Sequence, residues 1–378
     1  MQAQVISQPA RDLHGCLEPA PFVLSRPHGT VIAMGTAATF DCANAAAHAL
    51  RSGEVSAIAG ALPFDPERPA ALTAPHDLLR YNTPLDPREV ALPRLSVTGF
   101  APSPDTHLKR VHAAVRELGS TTLQKVVLAR AVELRATSPV DSSALLARLV
   151  HSDPNRNGFA INLSAAGGPW QGCHLVGASP EVLISRSGTT ITCHPLAGSA
   201  PRDRDAELDR AHAANLRASS KDLAEHAFVV DQIRATLTPL CRELSIPRQP
   251  TLTSTRELWH LGTPIRGQLR SASTTALDLA LALHPTPAVC GTPTMAAQAF
   301  IRETEGDRGF YAGALGWTDA AGDGEWMVTI RCATLASDGV TLTAYAGGGI
   351  VADSDPHEEL DETTSKLRTI FGAFGVEQ

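Results

Sequence analysis

Residues 121–134 read TTLQKVVLARAVEL, a run rich in β-branched and aliphatic side chains and free of Gly and Pro. It has the composition of a buried strand. With a two-residue repeat, Lys125 shares one face with Val127 and Ala129, while Gln124, Val126 and Leu128 line the other. A cation therefore rises from an apolar strand in a chain where only Lys109, Lys125, Lys221 and Lys366, four of the 32 basic residues, are lysine. Arginine cannot give up its proton near neutral pH, whereas an amine held in apolar surroundings can, so Lys125 is a candidate base. On periodicity alone, a lysine at a sheet edge, reaching its amine to water, fits equally well.

Working outward, a helix is expected from Asp105 to Leu118 and a hairpin over EVLISRSGTTITCHP, turning at Ser187-Gly188. One long helix is expected from about Asp203 to Thr238, with Leu223, Ala227, Val230, Ile233 and Leu237 at helical spacing before Pro239. A last helix opens at Asp355, with Pro356 in its first turn and Glu358 placed for a capping box, and closes near Gly372. Phe22 to Pro63 reads as short strands, and Pro63 to Pro104 as loops lying on a sheet. Strands interrupted by occasional long helices predict an α+β fold. The 378 residues with 43% hydrophobic content are enough for a substantial core.

A net charge of −7 without any basic run argues against nucleic-acid partners and an electrostatically held membrane surface. No stretch reads as a membrane span or a signal peptide, so the cytoplasm is the expected compartment. The seven cysteines, Cys16, Cys42, Cys173, Cys193, Cys241, Cys290 and Cys332, show no CxxC spacing and read as small core residues rather than a disulfide or zinc framework.

Three constellations could carry chemistry. Glu359, Glu362 and Lys366 share one face of the last helix, and Glu225 lies beside His226 and four residues after Lys221 on the long one. Glutamates from two helices could hold one Mg²⁺; solvated helix faces with i,i+4 pairs explain the same spacing and are favoured on sequence alone. AGGGIVA, residues 346–352, has dinucleotide-fingerprint spacing, but no helix opens on its glycines and no second strand follows, so that reading is rejected. Its successive glycine N–H groups could instead form a nest for a carboxylate, with Arg331 as a second clamp.

KVVLARAVEL, GASPEVL, HPLAGSAPR, SSKDLAEHAFVV, ELWHLGTPIRG, LHPTPAVCGTP, DRGFYAGALGW, GDGEWMVTIRCA, AGGGIVADSDP and EELDETTSKL, in this order, resemble the chorismate-utilising enzyme family. The likeness is dense from about Thr121 to Phe374 and thinner before it. HPTPAVCG with GEWMVTIRCA is most similar to the siderophore (2,3-dihydroxybenzoate) type of isochorismate synthase. The resemblance implies two mainly antiparallel sheets packed face to face with helices outside. It also implies that residues 1–378 form one catalytic domain, with 1–104 poorer in motifs than 105–378. The activity it implies is Mg²⁺-dependent conversion of chorismate to isochorismate: water adds at C2 on one side of the ring and the C4 hydroxyl leaves from the other.

By the same carry-over, Lys125 activates the water and Glu181 protonates the departing hydroxyl. Glu225 and Glu362 hold the metal, with Glu359 at or beside it. Gly198 and Ser199 bring backbone close to the substrate, His260 and Thr263 line the ring, and Arg331, Gly347, Gly349 and Lys366 form the pocket for the enolpyruvyl carboxylate. The chain is expected to act as a monomer without a glutaminase subunit. The alternatives are a menaquinone-directed isochorismate synthase, a salicylate synthase, an aminating chorismate enzyme, and a non-catalytic chorismate-binding regulatory homologue.

Overall fold

The computed structural model describes residues 20–376 and the backbone of Val5–Ile6, so Cys16 lies outside the described residues. The strand opened by Lys125 runs to Ala136 and is the last but one of a mixed sheet, covered on its outer side by the edge strands Gly291–Thr292 and Leu95–Ala101. Phe22–Arg26, Gly158–Asn162, His174–Gly177, Cys332–Leu335, Thr341–Ile350 and Lys125–Ala136 lie side by side in that order, each antiparallel to the next. A second antiparallel sheet includes Thr190–His194, Val182–Ser187, Gly324–Val328, Ala314–Asp319 and Ala57–Leu62. One apolar core joins Phe22, Leu24 and Leu128 of the first sheet to Ile58, Ile184 and Trp326 of the second, so the two pack face to face. The outer face of the first sheet is covered by Ser142–Ser152 and Pro356–Phe374, through Leu145, Leu149, Leu367 and Ile370.

This is a mixed α+β architecture, with one addition to the expectation. A small third sheet, formed by Leu196–Pro201, Leu258–Gly262 and Thr251–Ser254, stands beside the two large ones and carries several site residues.

Several element boundaries differ from the sequence reading. Ala43–Ser52 is a helix, ended by Gly53 at φ 76°, where short strands were expected; its alanine-rich text has too few bulky apolar residues to show a helical stripe. Ala71–Ala74, Asp77–Tyr81 and Leu95–Ala101 are strands within the stretch expected to be loops. The long helix is two, Ala206–Ala218 and Ser220–Leu237. The backbone breaks at Ser219, which turns extended (φ −67°, ψ 114°) and accepts the Asp222 N–H as an N-cap. Its buried face is Glu225, His226, Val229, Val230, Ile233 and Leu237, while Ala227 is exposed, so the inward stripe carries the polar pair. The last helix extends to Phe374 and stops at Gly375 in the left-handed region. Asp355 accepts the N–H groups of His357 and Glu358. Cys42 is exposed at a helix start, whereas Cys173, Cys193, Cys241, Cys290 and Cys332 are buried, and all six are free thiols.

Candidate active site

The first-sheet strands Lys125–Ala136 and Thr341–Ile350, the third sheet, and the helices Ser220–Leu237 and Pro356–Phe374 enclose one cavity. Glu181, Gly198, Ser199, Glu225, His260, Arg331, Gly347, Gly349, Glu362 and Lys366 line it. Strand pairing brings these together: Ser199 lies opposite His260 across the third sheet, and Gly349 lies opposite Val127 in the first. Glu359 lies at an adjoining opening lined also by Ser199, Glu225 and Glu362.

Lys125 is fully buried, which removes the edge-lysine reading. Its Nζ stands 3.0 Å from Glu225 Oε1 without hydrogen-bond geometry, beneath the cavity wall rather than on it. The strand carrying it is held from behind. Arg308 donates to the Val127 carbonyl at 2.7 Å and pairs with Glu305, and Glu305 Oε1 accepts the Ala129 N–H at 2.6 Å.

Glu181 begins the Val182–Ser187 strand and is 3% exposed, with Oε1 3.4 Å from the Leu196 N–H. Burial pushes its carboxyl up to about 7, against the opposing pull of that N–H and of Lys125, Arg331 and Lys366. It is thus a carboxyl that keeps its proton near neutrality while facing a polar cavity.

Three carboxylates crowd the glycine strand. A Cβ on Gly349 would lie 2.1 Å from Glu225 Oε1, and one on Gly348 would lie 3.0 Å from both Glu359 Oε2 and Glu362 Oε2. With no Cβ on these residues, the carboxylates lie directly against the strand. Burial and the neighbouring Glu362 push Glu359 up. Burial would raise Glu362 too, but the Lys366 ammonium and hydrogen bonds from Ser199, Lys366 and Glu359 outweigh it and hold Glu362 down.

Not every expected residue reaches the cavity in its expected role. Thr263 is not on the wall: its hydroxyl is 2.7 Å from His226 Nε2. His226 Nδ1 faces the Ala197 carbonyl at 3.2 Å and must donate to it, so Nε2 accepts from Thr263. Burial lowers this histidine to about 4 and keeps it neutral. Gly347 to Gly349 form no nest; they are extended and laddered to Ala129, Leu128 and Val127. Gly198 has φ 81°, and a Cβ there would sit 3.0 Å from Asp222 Cβ, so the close neighbour requiring glycine is the long helix's own aspartate.

Arg331 holds φ 51°, unusual for a side chain of this size, with its carbonyl accepting the Ala178 N–H. His260 is 5% exposed and its Nε2 has no partner within the protein, leaving a hydrogen-bonding position that a ligand in the cavity can satisfy. Lys366 donates to the Gly347 carbonyl at 2.8 Å and pairs with Glu362 at 2.9 Å. Beyond Ala178, a wider depression carries Arg202, Arg204, Arg256 and Arg368 interleaved with Asp153, Asp203 and Glu257.

Two lining residues have no counterpart in the sequence reading. Tyr311 and Tyr345 stack on each other at 5.0 Å between centroids and both face the cavity. Their signal was the scarcity of tyrosine, three in the whole chain, with Tyr311 inside DRGFYAGALGW.

A sequence profile described as chorismate binding enzyme matches residues 80–375, and the chain belongs to that family. A Mycobacterium tuberculosis protein provisionally named isochorismate synthase MenF is 52% identical over 360 residues, covering 95% of this chain and 97% of the relative. Isochorismate synthase DhbC of Bacillus subtilis is 40% identical over 380 residues, covering 95% of each. Among solved structures, a Bacillus anthracis protein provisionally named 2,3-dihydroxybenzoate-specific isochorismate synthase DhbC superposes with a TM-score of 0.88 at 35% identity, covering 98% of this chain and 100% of that one.

Proposed function

We propose that the protein is an isochorismate synthase, converting chorismate to isochorismate in the cavity between Glu181 and the Lys125–Glu225 pair. The observation that carries the reading is Glu181, a carboxyl raised to about 7 by burial yet facing a cavity lined with cations and carboxylates. In this reading Lys125 takes a proton from the water that attacks C2. Glu181 gives its proton to the C4 hydroxyl, which departs as water as the ring double bonds shift. Arg331 and Lys366 hold the enolpyruvyl carboxylate, and His260 Nε2 hydrogen-bonds on the ring side. For the amine to reach a water over the ring, the Glu225 carboxylate has to turn off it.

The reaction class implies Mg²⁺. The donor set fits a hard divalent cation: three carboxylates from two helices, close to the cavity. Their oxygens do not surround one point, since each is turned onto an ammonium group, and no cluster of three acidic, histidine or cysteine ligands stands ready among the described residues. Glu225 and Glu362, with Glu359 beside them, would hold the ion, which when bound supplies positive charge for the C1 carboxylate of chorismate. Glu225→Gln or Glu362→Gln is expected to raise the Mg²⁺ concentration for half-maximal activity about ten-fold or more; unchanged Mg²⁺ titrations remove them as ligands.

The deciding experiment incubates pure protein with chorismate and Mg²⁺, with and without ammonium, and identifies products by chromatography. Isochorismate in both is expected. Salicylate, an aminated product, or no turnover overturns the reading. We assign the product to 2,3-dihydroxybenzoate-type siderophore synthesis, supported by the solved Bacillus anthracis relative whose name specifies 2,3-dihydroxybenzoate; menaquinone is the second destination, since the 52% identical relative shares the name MenF with a menaquinone-specific isochorismate synthase of Escherichia coli. Complementation of strains lacking one or the other isochorismate synthase separates the two. No helix among the described residues is long and apolar enough to cross a membrane.

A further inference from the structure

Lysine occurs four times in this chain, and three of the four ammonium groups end on the three clustered glutamates. Lys125 meets Glu225 at 3.0 Å, Lys221 meets Glu359 at 2.8 Å, and Lys366 meets Glu362 at 2.9 Å. Lys109, exposed on Pro104–Leu118, stands apart. Where arginine is the default cation, this choice has chemical content. A guanidinium grips a carboxylate through a two-pronged fork, whereas an ammonium is a compact point charge that another cation can replace.

Lys125 and Lys366 already have places in the proposed reaction. Lys221 has none: it does not line the substrate cavity but stands on the adjoining opening with Ser199, Asp222 and Glu359. Its side chain crosses from Ser220–Leu237 to Pro356–Phe374, the two helices that carry the glutamates.

We propose that Lys221 is a resident counter-cation, holding the Glu359 carboxylate in the metal-free protein and yielding it to an incoming divalent cation, so that it sets the affinity of the site. The inference rests on the metal reading given above. An ammonium bonded to Glu359 competes for the oxygen a cation needs and repels that cation at short range. It also screens Glu359 from Glu362, which otherwise repel each other and gain more from a bound cation.

The test is calorimetric titration of Mg²⁺ into substrate-free wild type, Lys221→Met, Lys221→Arg and Lys109→Met, with thermal midpoints in chelator and in saturating Mg²⁺. Lys109→Met is expected to bind Mg²⁺ within about two-fold of wild type and Lys221→Arg several-fold more weakly, because the guanidinium fork yields the carboxylate less readily, whereas Lys221→Met binds it about ten-fold more tightly. Its thermal midpoint is expected to fall in chelator and recover with Mg²⁺. Unchanged or weaker binding by Lys221→Met overturns the proposal and leaves the Mg²⁺ site standing. Equal tightening in Lys221→Arg overturns it too, since charge is then not the cause. A wild type that binds no Mg²⁺ removes the metal reading and this inference together. If Lys221→Met does not fold, Lys221→Gln is titrated instead; failure of both to fold with Mg²⁺ present makes Lys221 a structural tie and ends the proposal.

Discussion

Replacing Lys125 with alanine is expected to lower turnover of chorismate by about 10²–10⁴-fold, the scale of a positioned acid or base, with KM for chorismate changed far less. The split follows from geometry. Arg331 and Lys366, the proposed carboxylate clamp, come from other elements and do not depend on the Lys125 side chain. The amine itself is fully buried, with the Glu225 carboxylate as its ionic neighbour at 3.0 Å. Removing one member of a buried pair also costs roughly 3–5 kcal/mol of stability, because the other charge is left uncompensated. Thermal midpoints must therefore accompany the kinetics, and Lys125→Met, which keeps most of the side-chain volume, separates lost chemistry from lost packing. Near-normal turnover in a folded variant ends the assignment of Lys125 as base.

Much of this arrangement was legible in the sequence because it is local. The strand Lys125–Ala136, the Ser187-Gly188 hairpin and the Asp355-capped helix announce themselves through two- and four-residue periods and through caps. What could not be read there depends on distant partners. Glu225 is one hundred residues from Lys125 and reaches it only because Ser220–Leu237 turns its polar pair inward. The same turn directs His226 to Thr263, whose hydroxyl it engages away from the cavity wall. Gly347 to Gly349 have the text of an anion nest, yet pairing with Val127 to Ala129 holds them extended, and their missing side chains make room for carboxylates instead. The apolar text around Lys125 carries no sign of the Glu225 carboxylate that shares its burial.

Glu181→Gln is expected to reduce turnover by a comparable 10²–10⁴-fold, roughly, and to abolish the alkaline limb of the pH profile. Burial raises this carboxyl from 4.5 to about 7, so in wild type the proton needed by the departing hydroxyl is present below about 7 and lost above it. The rate of the chemical step should accordingly fall as pH rises through that value. Glutamine preserves the shape and can still hydrogen-bond, but it has no acidic proton to give. Stability supplies an independent check with a definite sign. The unfolded chain releases this proton near 4.5 and the folded chain only near 7, so between those values unfolding releases a proton and the contribution of Glu181 to stability declines as pH rises. Below 4.5 that contribution is fully present, and above about 7 it has gone. Denaturant unfolding of wild type and Glu181→Gln from about pH 4 to 8 should show the variant losing less stability across that window. A variant that keeps the wild-type alkaline limb places the acid on another group; one that keeps the wild-type stability slope shows that Glu181 is not the carboxyl that burial holds protonated.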